Sequence, residues 1–461
     1  MTACDNESSS SENKDRSPIS SSDRLKVDSN GYLRNRGGKE VTLRGINLGG
    51  WMIQEAWMGP FEGSSGGDKS WTMTNTLDTL DNRFGITARK ELIESYESNF
   101  ITEEDFLWFK RENVNCIRIP FWYRNFLEAD LAWINGCDGR NSVTTNPGFL
   151  RLDWAINQAK RNGIYVILDL HGAPGGQSMD HSCGTLGKNE LWTNQQYEQA
   201  AAELWKSIAI RYKDEAAAAA YDLLNEPQNN SGYKGANSWP PGSERAVYET
   251  VRMYDRLYRE IRAVDSDVII MMEAIWHLRH LPNPNLIYSG PPVFFGMLSD
   301  TEWAGDYNSN SSPQWGGKTV VWNNVMYSMH LYDRESGSFR NHIDDMIARR
   351  NNWKTAFHTG EFENDPIQPE AYYLMNTNKI NWNKWTYKIA GRNLGGWSLI
   401  QNADYNQINL ETSSQEQIRT AFGTGLRTFQ NGTVQPANGW KFQTGAQWLD
   451  AFRGGIAYGN R

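Results

Sequence analysis

The sequence predicts a single (β/α)₈ barrel with a small N-terminal hairpin and long loops at one mouth, and two observations support this fold class. Short apolar runs alternate with helix-length segments from about Leu25 onward, with no linker or shift in composition between them. Most of these runs are nearly continuous in apolar residues, which is typical of strands covered on both faces. Eight strand–helix units of this kind form a barrel of larger than typical size.

The predicted elements follow one another along the chain. Turn signals at residues 30–31 and 36–38 predict a hairpin that closes the bottom of the barrel before the first strand. The strands are expected at residues 41–50, 114–120, 165–172, 221–227, 268–274, 325–332, 355–362 and 396–402. Helical segments lie between them, for example at 153–162, 190–212, 244–264 and 342–353. Five alanines after Glu215 favour the end of a helix before the fourth strand.

The composition limits the classes of function. The chain has 461 residues, and no run of about 18 apolar residues suggests a membrane-spanning helix. A net charge of −8 argues against nucleic acid as a partner. The 20 Trp and 20 Tyr suit stacking on sugar rings, although core packing accounts for more than half of them. We expect a monomer that binds a neutral carbohydrate.

The N-terminus predicts a second, smaller region. Residues 1–24 are rich in Ser, Asn and charged residues, so we expect a disordered tether there and the barrel domain at 25–461. Thr2, Ala3 and Cys4 resemble the end of a bacterial lipoprotein signal, which implies a lipid anchor at Cys4. The protein would then be exported, as a cell-surface or periplasmic lipoprotein or in secreted form. The alternative is an ordinary disordered terminus that contains a cysteine.

Polar side chains stand where most of the predicted strands end, and this is the edge at which such barrels carry their active sites. Taken singly, each has a structural explanation, such as a turn, a satisfied histidine or an ion pair inside the barrel. Their order and their placement on strands favour a site instead, because burying polar groups is costly unless they are paired or functional. The residues are Arg118, His171, Asn225, Glu226, His330, Tyr332 and Glu361, with Trp397 at the start of the eighth strand.

This set resembles the eight recurrent active-site residues of glycoside hydrolase family 5, in the clan of barrels with glutamates on strands four and seven. The motifs at 44–51 (RGINLGGW), 171–177 (HGAPGGQ) and 221–227 (YDLLNEP) resemble the exo-β-1,3-glucanase branch most. The resemblance covers roughly residues 25–404. The chain departs from the branch at 178–183, at 398–402 and after Asp404.

The resemblance implies a retaining double displacement by two carboxyl groups. Glu226 would be the general acid/base, with a pKa raised by burial and by the charge of Glu361. Glu361 would be the nucleophile, kept ionised by hydrogen bonds from Arg118 and Tyr332. Asn225 would hold the sugar 2-hydroxyl.

The remaining matched residues would bind and orient the sugar. His171 and His330 would position hydroxyls or orient the two carboxyl groups, and Trp397 would form the floor beneath the sugar. Glu55 and, in the altered loop, Asp180 would bind the hydroxyls of the terminal glucose. Two further glutamates need a different explanation: we interpret Glu363 as a loop carboxylate and Glu273 as a structural or outer-site residue.

Neither a metal nor a cofactor is expected. Residues 172–176 are rich in glycine, but they lack the Lys-Ser/Thr that completes a phosphate-binding loop. The four cysteines match no zinc signature. Cys116 lies in a predicted strand as a buried thiol. Cys137 and Cys183 lie in loops at the same barrel mouth, so we predict a disulfide between them.

The expected substrate is a β-glucan polysaccharide or oligosaccharide. The match of two separate loops to one branch favours the β-1,3 linkage and exo over endo action. A β-1,6-glucan, a β-1,4-glucan or a β-mannan remains an alternative on the same scaffold. A non-catalytic surface protein that binds glycans is a more remote alternative, because such a protein would be expected to lose one of the two glutamates.

Overall fold

The computed structural model describes residues 16–62, 72–228, 244–274, 298–300, 318–320, 322–333, 335–363, 367–430, 432–433, 435–443 and 447–454. Its strands are β1 (Leu25–Val27), β2 (Leu33–Asn35), β3 (Arg44–Asn47), β4 (Cys116–Trp122), β5 (Tyr165–Gly172), β6 (Ala218–Asp222), β7 (Ile269–Glu273), β8 (Leu298–Asp300), β9 (Lys318–Val320), β10 (Val325–Leu331), β11 (Ala356–Phe362), β12 (Asn381–Lys384), β13 (Lys388–Ala390), β14 (Ile400–Asn402) and β15 (Lys441–Phe442). Eight of them close into a barrel in the order β3-β4-β5-β6-β7-β10-β11-β12, with parallel neighbours. The predicted fold class is therefore confirmed.

The described helices lie along the connections between these strands. They are α1 (Met73–Phe100), α2 (Glu103–Arg111), α3 (Pro147–Arg161), α4 (Gln195–Tyr212), α5 (Glu244–Arg262), α6 (Ser336–Trp353), α7 (Gln368–Thr377), α8 (Gln415–Ala421) and α9 (Gln447–Phe452). Helix α1 is broken at Gly85, whose φ of 81° and ψ of 161° are not helical. Within the described part of the chain, no helix is both long and apolar enough to cross a membrane.

The apolar residues of the strands explain why the barrel wall is buried on both faces. Every position of β4, β5 and β10 is buried. The near-continuous apolar pattern fits this double cover, since one face of each strand packs in the barrel interior and the other packs under helices. The active-site side chains interrupt the pattern at the carboxyl ends.

The N-terminal hairpin is present, because β1 and β2 pair in antiparallel fashion. The predicted boundary of the tether at residue 24 is wrong, however, since residues 16–24 already pack against the barrel. Arg16 donates to the carbonyl of Val114 (2.7 Å), and Ile19 is only 7% exposed. Backbone and side-chain hydrogen bonds order this segment although its composition is polar. Residues 1–15, including Cys4, lie outside the described part of the chain.

The eighth barrel strand differs from the prediction. It is β12, which pairs with β11 and β3, whereas β14 belongs to a separate three-stranded sheet with β13 and β15. The sequence Asn-Trp-Asn-Lys of β12 has no apolar run. Its asparagines are satisfied inside the barrel: Asn381 accepts from the backbone of Leu43 (2.9 Å) and Asn383 donates to the carbonyl of Ile46 (3.0 Å).

The alanine run is also not the end of a helix. Ala218, Ala219 and Ala220 form the first half of β6, and each is at most 4% exposed. Helix propensity is a weak preference that tertiary packing overrides. Pairing with β5 and β7 supplies backbone partners for this short strand, so it forms despite its composition.

Candidate active site

The carboxyl ends of the barrel strands bring the eight sequence-predicted residues to one mouth. Arg118 lies on β4, His171 on β5, His330 on β10 and Glu361 on β11. The others follow strands directly or lie in the loop before β14: Asn225, Glu226, Tyr332 and Trp397. A register shift between Met329 and His330 pairs His330 with Glu361 across β10 and β11. Such bulges are common beside active sites because they redirect side chains.

Arg118 connects the buried polar groups of this mouth. Its side chain is fully buried and donates to Glu361 (2.8 Å), to Glu273 (2.9 Å) and to Asp222 (2.9 Å). It also lies 3.0 Å from Asp169. These four carboxyl groups raise the pKa of Arg118 well above its usual value although burial opposes this. The guanidinium therefore stays charged and fixes the orientation of its neighbours.

Glu361 receives hydrogen bonds at both carboxyl oxygens. Arg118 Nη1 donates to Oε1 (2.8 Å) and the Tyr332 hydroxyl donates to Oε2 (2.7 Å). The two contacts fix the orientation of this carboxyl group. Gly360, the preceding residue, has no room for a side chain, because a Cβ there would lie 2.6 Å from Ser328 Oγ and 2.8 Å from His330 Nε2. This close packing holds Glu361 in place.

Glu226 has a different environment. Its backbone φ is +42°, an unfavourable value for a residue with a side chain, and its N–H donates to Glu273 Oε2 at 2.7 Å. Its Oε1 lies 2.7 Å from Nδ1 of His330. Burial raises the pKa of Glu226, and the nearby charges of Glu361 and Glu273 act in the same direction, whereas His330 opposes them. A carboxyl group of this kind can remain protonated at a higher pH than usual.

Glu273 is more central than the sequence suggested. Burial alone would raise its pKa, but the contacts with His330 and Arg118 outweigh burial and lower it to about 2. His330 Nε2 lies 3.0 Å from Glu273 Oε1, and the pKa of His330 is well above its usual value because carboxylates surround it, despite burial. Of the two interpretations, structural or outer-site, the contacts favour the structural one: Glu273 accepts from the backbone of Glu226 and contacts His330, which in turn contacts the Glu226 carboxyl group.

His171 and Asn225 line the floor of the mouth. The Asn225 Oδ1 accepts from Arg118 Nη2 (2.9 Å), and its amide nitrogen lies 3.4 Å from His171 Nε2. His171 Nδ1 lies 2.7 Å from Asp169, and its ring stacks on Trp385 with centroids 5.5 Å apart and 7° between planes. Burial opposes protonation of His171, but the Asp169 contact raises its pKa. Asp169 lies near the end of the same apolar strand as His171 but was given no role from the sequence, and Trp385 carried no strand-end signal.

The two predicted glucose-binding acids are joined by a residue that the sequence did not single out. Glu55 Oε2 lies 3.0 Å from His181 Nε2, and Asp180 Oδ1 lies 2.6 Å from His181 Nδ1. The same Glu55 oxygen accepts from Trp57 Nε1 at 2.9 Å. The ring of Trp57 packs edge-on against Trp397, with centroids 5.6 Å apart.

Trp397 remains at the mouth although it lies outside the barrel sheet. Its ring centroid is 5.5 Å from that of Tyr332, which places an aromatic surface beside Glu361. Glu363, which the sequence assigned to a loop, follows β11 directly and is only 2% exposed.

The predicted disulfide is wrong, since Cys137 and Cys183 are both free. Cys183 is buried, with its sulfur 3.0 Å from the carbonyl of Asp180 and 3.3 Å from that of Ser178. Cys137 instead contacts the hydroxyl of Thr144 at 3.1 Å. Each thiol is satisfied within its own loop. Cys116 is buried as expected.

A metal ion could be held only by the same groups, as far as the described residues show. One ligand atom each from Glu226, His330 and Glu361 lie within 4.8 Å of one another. These side chains already contact each other, and acetal cleavage by two carboxyl groups needs no metal. The expected absence of a metal and of a cofactor stays a prediction.

Comparison with known proteins identifies the family. A model described as cellulase, glycosyl hydrolase family 5, matches residues 78–391. The chain belongs to glycosyl hydrolase family 5. The resemblance found in the sequence is therefore confirmed, and so is the enzyme class, a glycoside hydrolase.

The family 5 chain has several curated fungal relatives. It is 25% identical over 394 residues to a β-xylosidase of Phanerodontia chrysosporium, which covers 77% of this chain and 69% of the relative. It is 28% identical over 234 residues to a probable glucan 1,3-β-glucosidase A of Aspergillus fumigatus, which covers 50% of this chain but only 49% of that relative. Among solved structures, the rutinosidase of Aspergillus niger superposes with a TM-score of 0.51 at 15% identity, over 76% of this chain and 90% of that one. This last similarity concerns the fold.

Proposed function

We propose that this family 5 enzyme is a retaining β-glycoside hydrolase that acts on a β-glucan, with Glu226 as general acid/base and Glu361 as nucleophile. The spacing of the two carboxyl groups carries the proposal, because oxygens of Glu226 and Glu361 lie within 4.8 Å of each other. Retaining enzymes hold their carboxyl groups about 5–5.5 Å apart, whereas inverting enzymes need about 6.5–9.5 Å to admit a water. The different environments of the two groups support the division of roles.

In the first step, Glu226 transfers its proton to the glycosidic oxygen as the bond to the anomeric carbon breaks. The leaving sugar departs as an alcohol, and Glu361 attacks the anomeric carbon to form a glycosyl ester. The hydrogen bonds from Arg118 and Tyr332 hold the carboxyl group of Glu361 in position until attack. Because its pKa is raised, the Glu226 carboxyl group can carry the proton that it transfers.

In the second step, Glu226 changes from general acid to general base. As a carboxylate it takes a proton from a water, and the resulting hydroxide attacks the same anomeric carbon. The ester bond to Glu361 breaks, which restores both carboxyl groups and releases the sugar with its original configuration. His330, which contacts Glu226 at 2.7 Å, stabilises the carboxylate form during this half of the cycle.

The sugar at the cleavage site would bind between Asn225 and Trp397. Asn225 would accept or donate at the 2-hydroxyl, since its amide is oriented by Arg118 and stands next to His171. Trp397 offers an apolar ring face beside the nucleophile. Glu55 and Asp180 would bind hydroxyls at the far end of the sugar.

The preferred polymer is a β-1,3-glucan, attacked from its non-reducing end. Its support is the match of two loops to the exo-β-1,3-glucanase branch together with the relatives named glucan 1,3-β-glucosidase. Initial rates on laminarin, pustulan, cellulose and mannan, with early products sized, test the linkage and the mode of action. Faster hydrolysis of another polymer contradicts the linkage, and NMR detection of an inverted first anomer contradicts the mechanism. No hydrolysis of any glycoside would favour the non-catalytic alternative.

A β-xylosidase activity is a second candidate, because the relative aligned over 77% of the chain carries that name. Xylose lacks the hydroxymethyl group of glucose. The space that the site offers to this group would therefore decide between xylosides and glucosides as substrates. The ratio of kcat/KM for aryl β-xyloside and aryl β-glucoside separates the two candidates. A ratio above one favours xylose.

We propose export of the enzyme with lipid attachment at Cys4, on the basis of the Thr-Ala-Cys motif. Metabolic labelling with a radioactive fatty acid in a bacterial host, with Cys4→Ser as control, tests the attachment. Equal labelling of both proteins contradicts it.

A further inference from the structure

A histidine joins two loops across one side of the active-site mouth. His181 lies in the loop after β5, and its Nε2 reaches Glu55 Oε2 in the loop after β3 at 3.0 Å. Its Nδ1 lies 2.6 Å from Asp180 of its own loop. We call these three residues the histidine bridge. The side chains of Glu55 and His181 are 7% and 18% exposed, so their contact is shielded from water, whereas the Asp180 side chain is 37% exposed.

The loop that carries His181 is anchored at both ends. At its start, the Gln177 amide donates to the carbonyls of His171 and Asn225, each at 2.8 Å. At its end, the carbonyl of Gly184 accepts from the backbone of Thr74 at the start of α1 (2.9 Å). A loop held in this way presents its side chains on a fixed frame.

The bridge is connected to the catalytic centre by direct contacts. Glu55 accepts from Trp57, Trp57 packs on Trp397, and Trp397 packs on Tyr332, which donates to Glu361. The leaving sugar must lie against its proton donor, Glu226. The glycone position proposed beside Trp397 therefore has the histidine bridge at its far end, since Trp57 connects Trp397 with Glu55.

We infer that His181 is a specificity-determining residue, whose bridge between Glu55 and Asp180 closes the non-reducing end of the site and limits it to one glycone sugar. This inference rests on the proposed function and deepens it. A second sugar beyond the first would have to displace the contact between the two loops.

Histidine suits this task because its two ring nitrogens point in different directions. A protonated imidazole donates from both, so it satisfies two carboxylates at once with charge-assisted bonds. Burial disfavours the cation, but the contacts with Asp180 and Glu55 prevail and raise the pKa of His181 to about 10. The bridge thus stays intact through neutral pH.

The test uses aryl glycosides of one sugar and of two sugars, with the two sugars joined by β-1,3, β-1,4 or β-1,6 linkages, because removal of a single sugar cleaves the bond between them. An enzyme with one glycone position removes a single sugar from an aryl bioside first and leaves the aryl monoside. An enzyme with two positions releases the intact disaccharide. Chromatography at early time gives the ratio of disaccharide to monosaccharide for glucosides, xylosides and mannosides.

Three variants accompany the wild type. His181→Ala removes the bridge, and His181→Asn keeps a short amide near Asp180 that cannot span to Glu55. Both should raise the disaccharide ratio about tenfold or more, the order of discrimination that one binding contact provides. Lys188→Ala is the matched control, since Lys188 is exposed in the same loop, and it should behave as the wild type.

The outcomes distinguish a failure of the role proposed for His181 from a failure of the β-glucan proposal. An unchanged ratio in a folded His181→Asn enzyme, or intact disaccharide as the main wild-type product, overturns the role of His181 and leaves the β-glucan proposal standing. Single-sugar release from xylosides or mannosides but not from glucosides overturns the β-glucan proposal and supports the closed end. A wild type that cleaves none of these compounds overturns both.

Discussion

At the scale of single residues, contacts distinguish two glutamates that look alike in the sequence. Glu361 accepts hydrogen bonds at both oxygens, whereas Glu226 contacts a histidine and is bound through its own backbone to Glu273. Burial raises the pKa of Glu226, which disfavours its ionised form. The proposed roles of acid and nucleophile therefore rest on the contacts of Arg118 and Tyr332 with Glu361 and on the burial of Glu226.

The nucleophile can be tested by an isosteric change. Glu361→Gln should lower kcat on an aryl glycoside at least about 10³-fold, because the amide cannot form the glycosyl ester. Sugar binding, measured by calorimetry, should change little, since the neighbouring groups remain. The same change at Glu363, two residues later, tests the alternative nucleophile. Greater loss at Glu363 than at Glu361 would contradict the assignment.

The acid/base residue should show a dependence on the leaving group. Glu226→Ala should lower kcat/KM on a glucan about 10²–10⁴-fold, the usual contribution of a positioned proton donor. Formation of the glycosyl ester from an aryl glycoside with an acidic phenol should be nearly unaffected, because that oxygen leaves without a proton.

The pH profile provides a second readout for Glu226. Activity of the wild type on glucan should fall as the pH rises through the raised pKa of this group, and the fall should disappear in the variant with an activated substrate. Equal losses on both substrates, or an unchanged alkaline limb, would show that another group donates the proton.

Motif order predicted the residues of the site better than it predicted their partners. Arg118, His330 and Glu361 could be recognised because a polar residue ending an apolar strand is unusual. Glu273 shares that position but had no motif, and His181 lies in the loop where the family pattern fails. Their importance depends on distances across the barrel mouth, which a single sequence does not contain.

At the scale of elements, a strand can be predicted from the sequence when buried apolar side chains stabilise it. A strand that is stabilised mainly by hydrogen bonds to its neighbours is harder to predict. β4 and β5 were predicted from their apolar residues, whereas the polar β12 was missed and the alanine start of β6 was placed three residues too late. In β12 and β6, pairing with the neighbouring strands supplies the stabilisation that the local sequence does not provide. The predicted eighth strand, β14, is real but pairs outside the barrel.

Lys388 in β13 is a buried cation that fastens the C-terminal segment. Its ammonium donates to the carbonyl of Leu426 (2.8 Å) and to Thr428 (3.2 Å), and it lies over the rings of Phe100 and Trp440 at 4.4 and 4.9 Å. Burial lowers its pKa from 10.5 to about 8. Well below pH 8 Lys388 is protonated in the folded protein, and the burial of this charge lowers the free energy of unfolding.

Stability should therefore depend on pH at this position. Between about pH 8 and 10.5 the unfolded chain binds the proton that the folded chain has lost, so stability rises with pH. The free energy of unfolding of the wild type, relative to Lys388→Met, should increase by up to about 3 kcal/mol from pH 7 to 10. Urea unfolding at several pH values measures it. A constant difference would mean that burial does not lower the pKa of Lys388.

At the scale of the whole molecule, the segment after Asp404 packs against the barrel at two places. Phe422 is fully buried against Tyr96 of α1, with ring centroids 5.1 Å apart. Further along, Phe452 packs on Trp382 of the eighth barrel strand at 5.3 Å. The segment has no family motif, yet it covers apolar surface on α1 and on the closing strand.

This packing predicts that the barrel does not tolerate loss of the segment. Phe422→Ala should lower the free energy of unfolding by about 3–5 kcal/mol, because it leaves a cavity among aromatic rings. Glu411→Ala, an exposed position in the same segment, should stay within about 0.5 kcal/mol of the wild type. A chain ending at Asp404 should fail to unfold cooperatively in circular dichroism, since α1 and β12 would lose their cover together. A truncated chain with a cooperative transition near that of the wild type would instead make the segment an independent appendage.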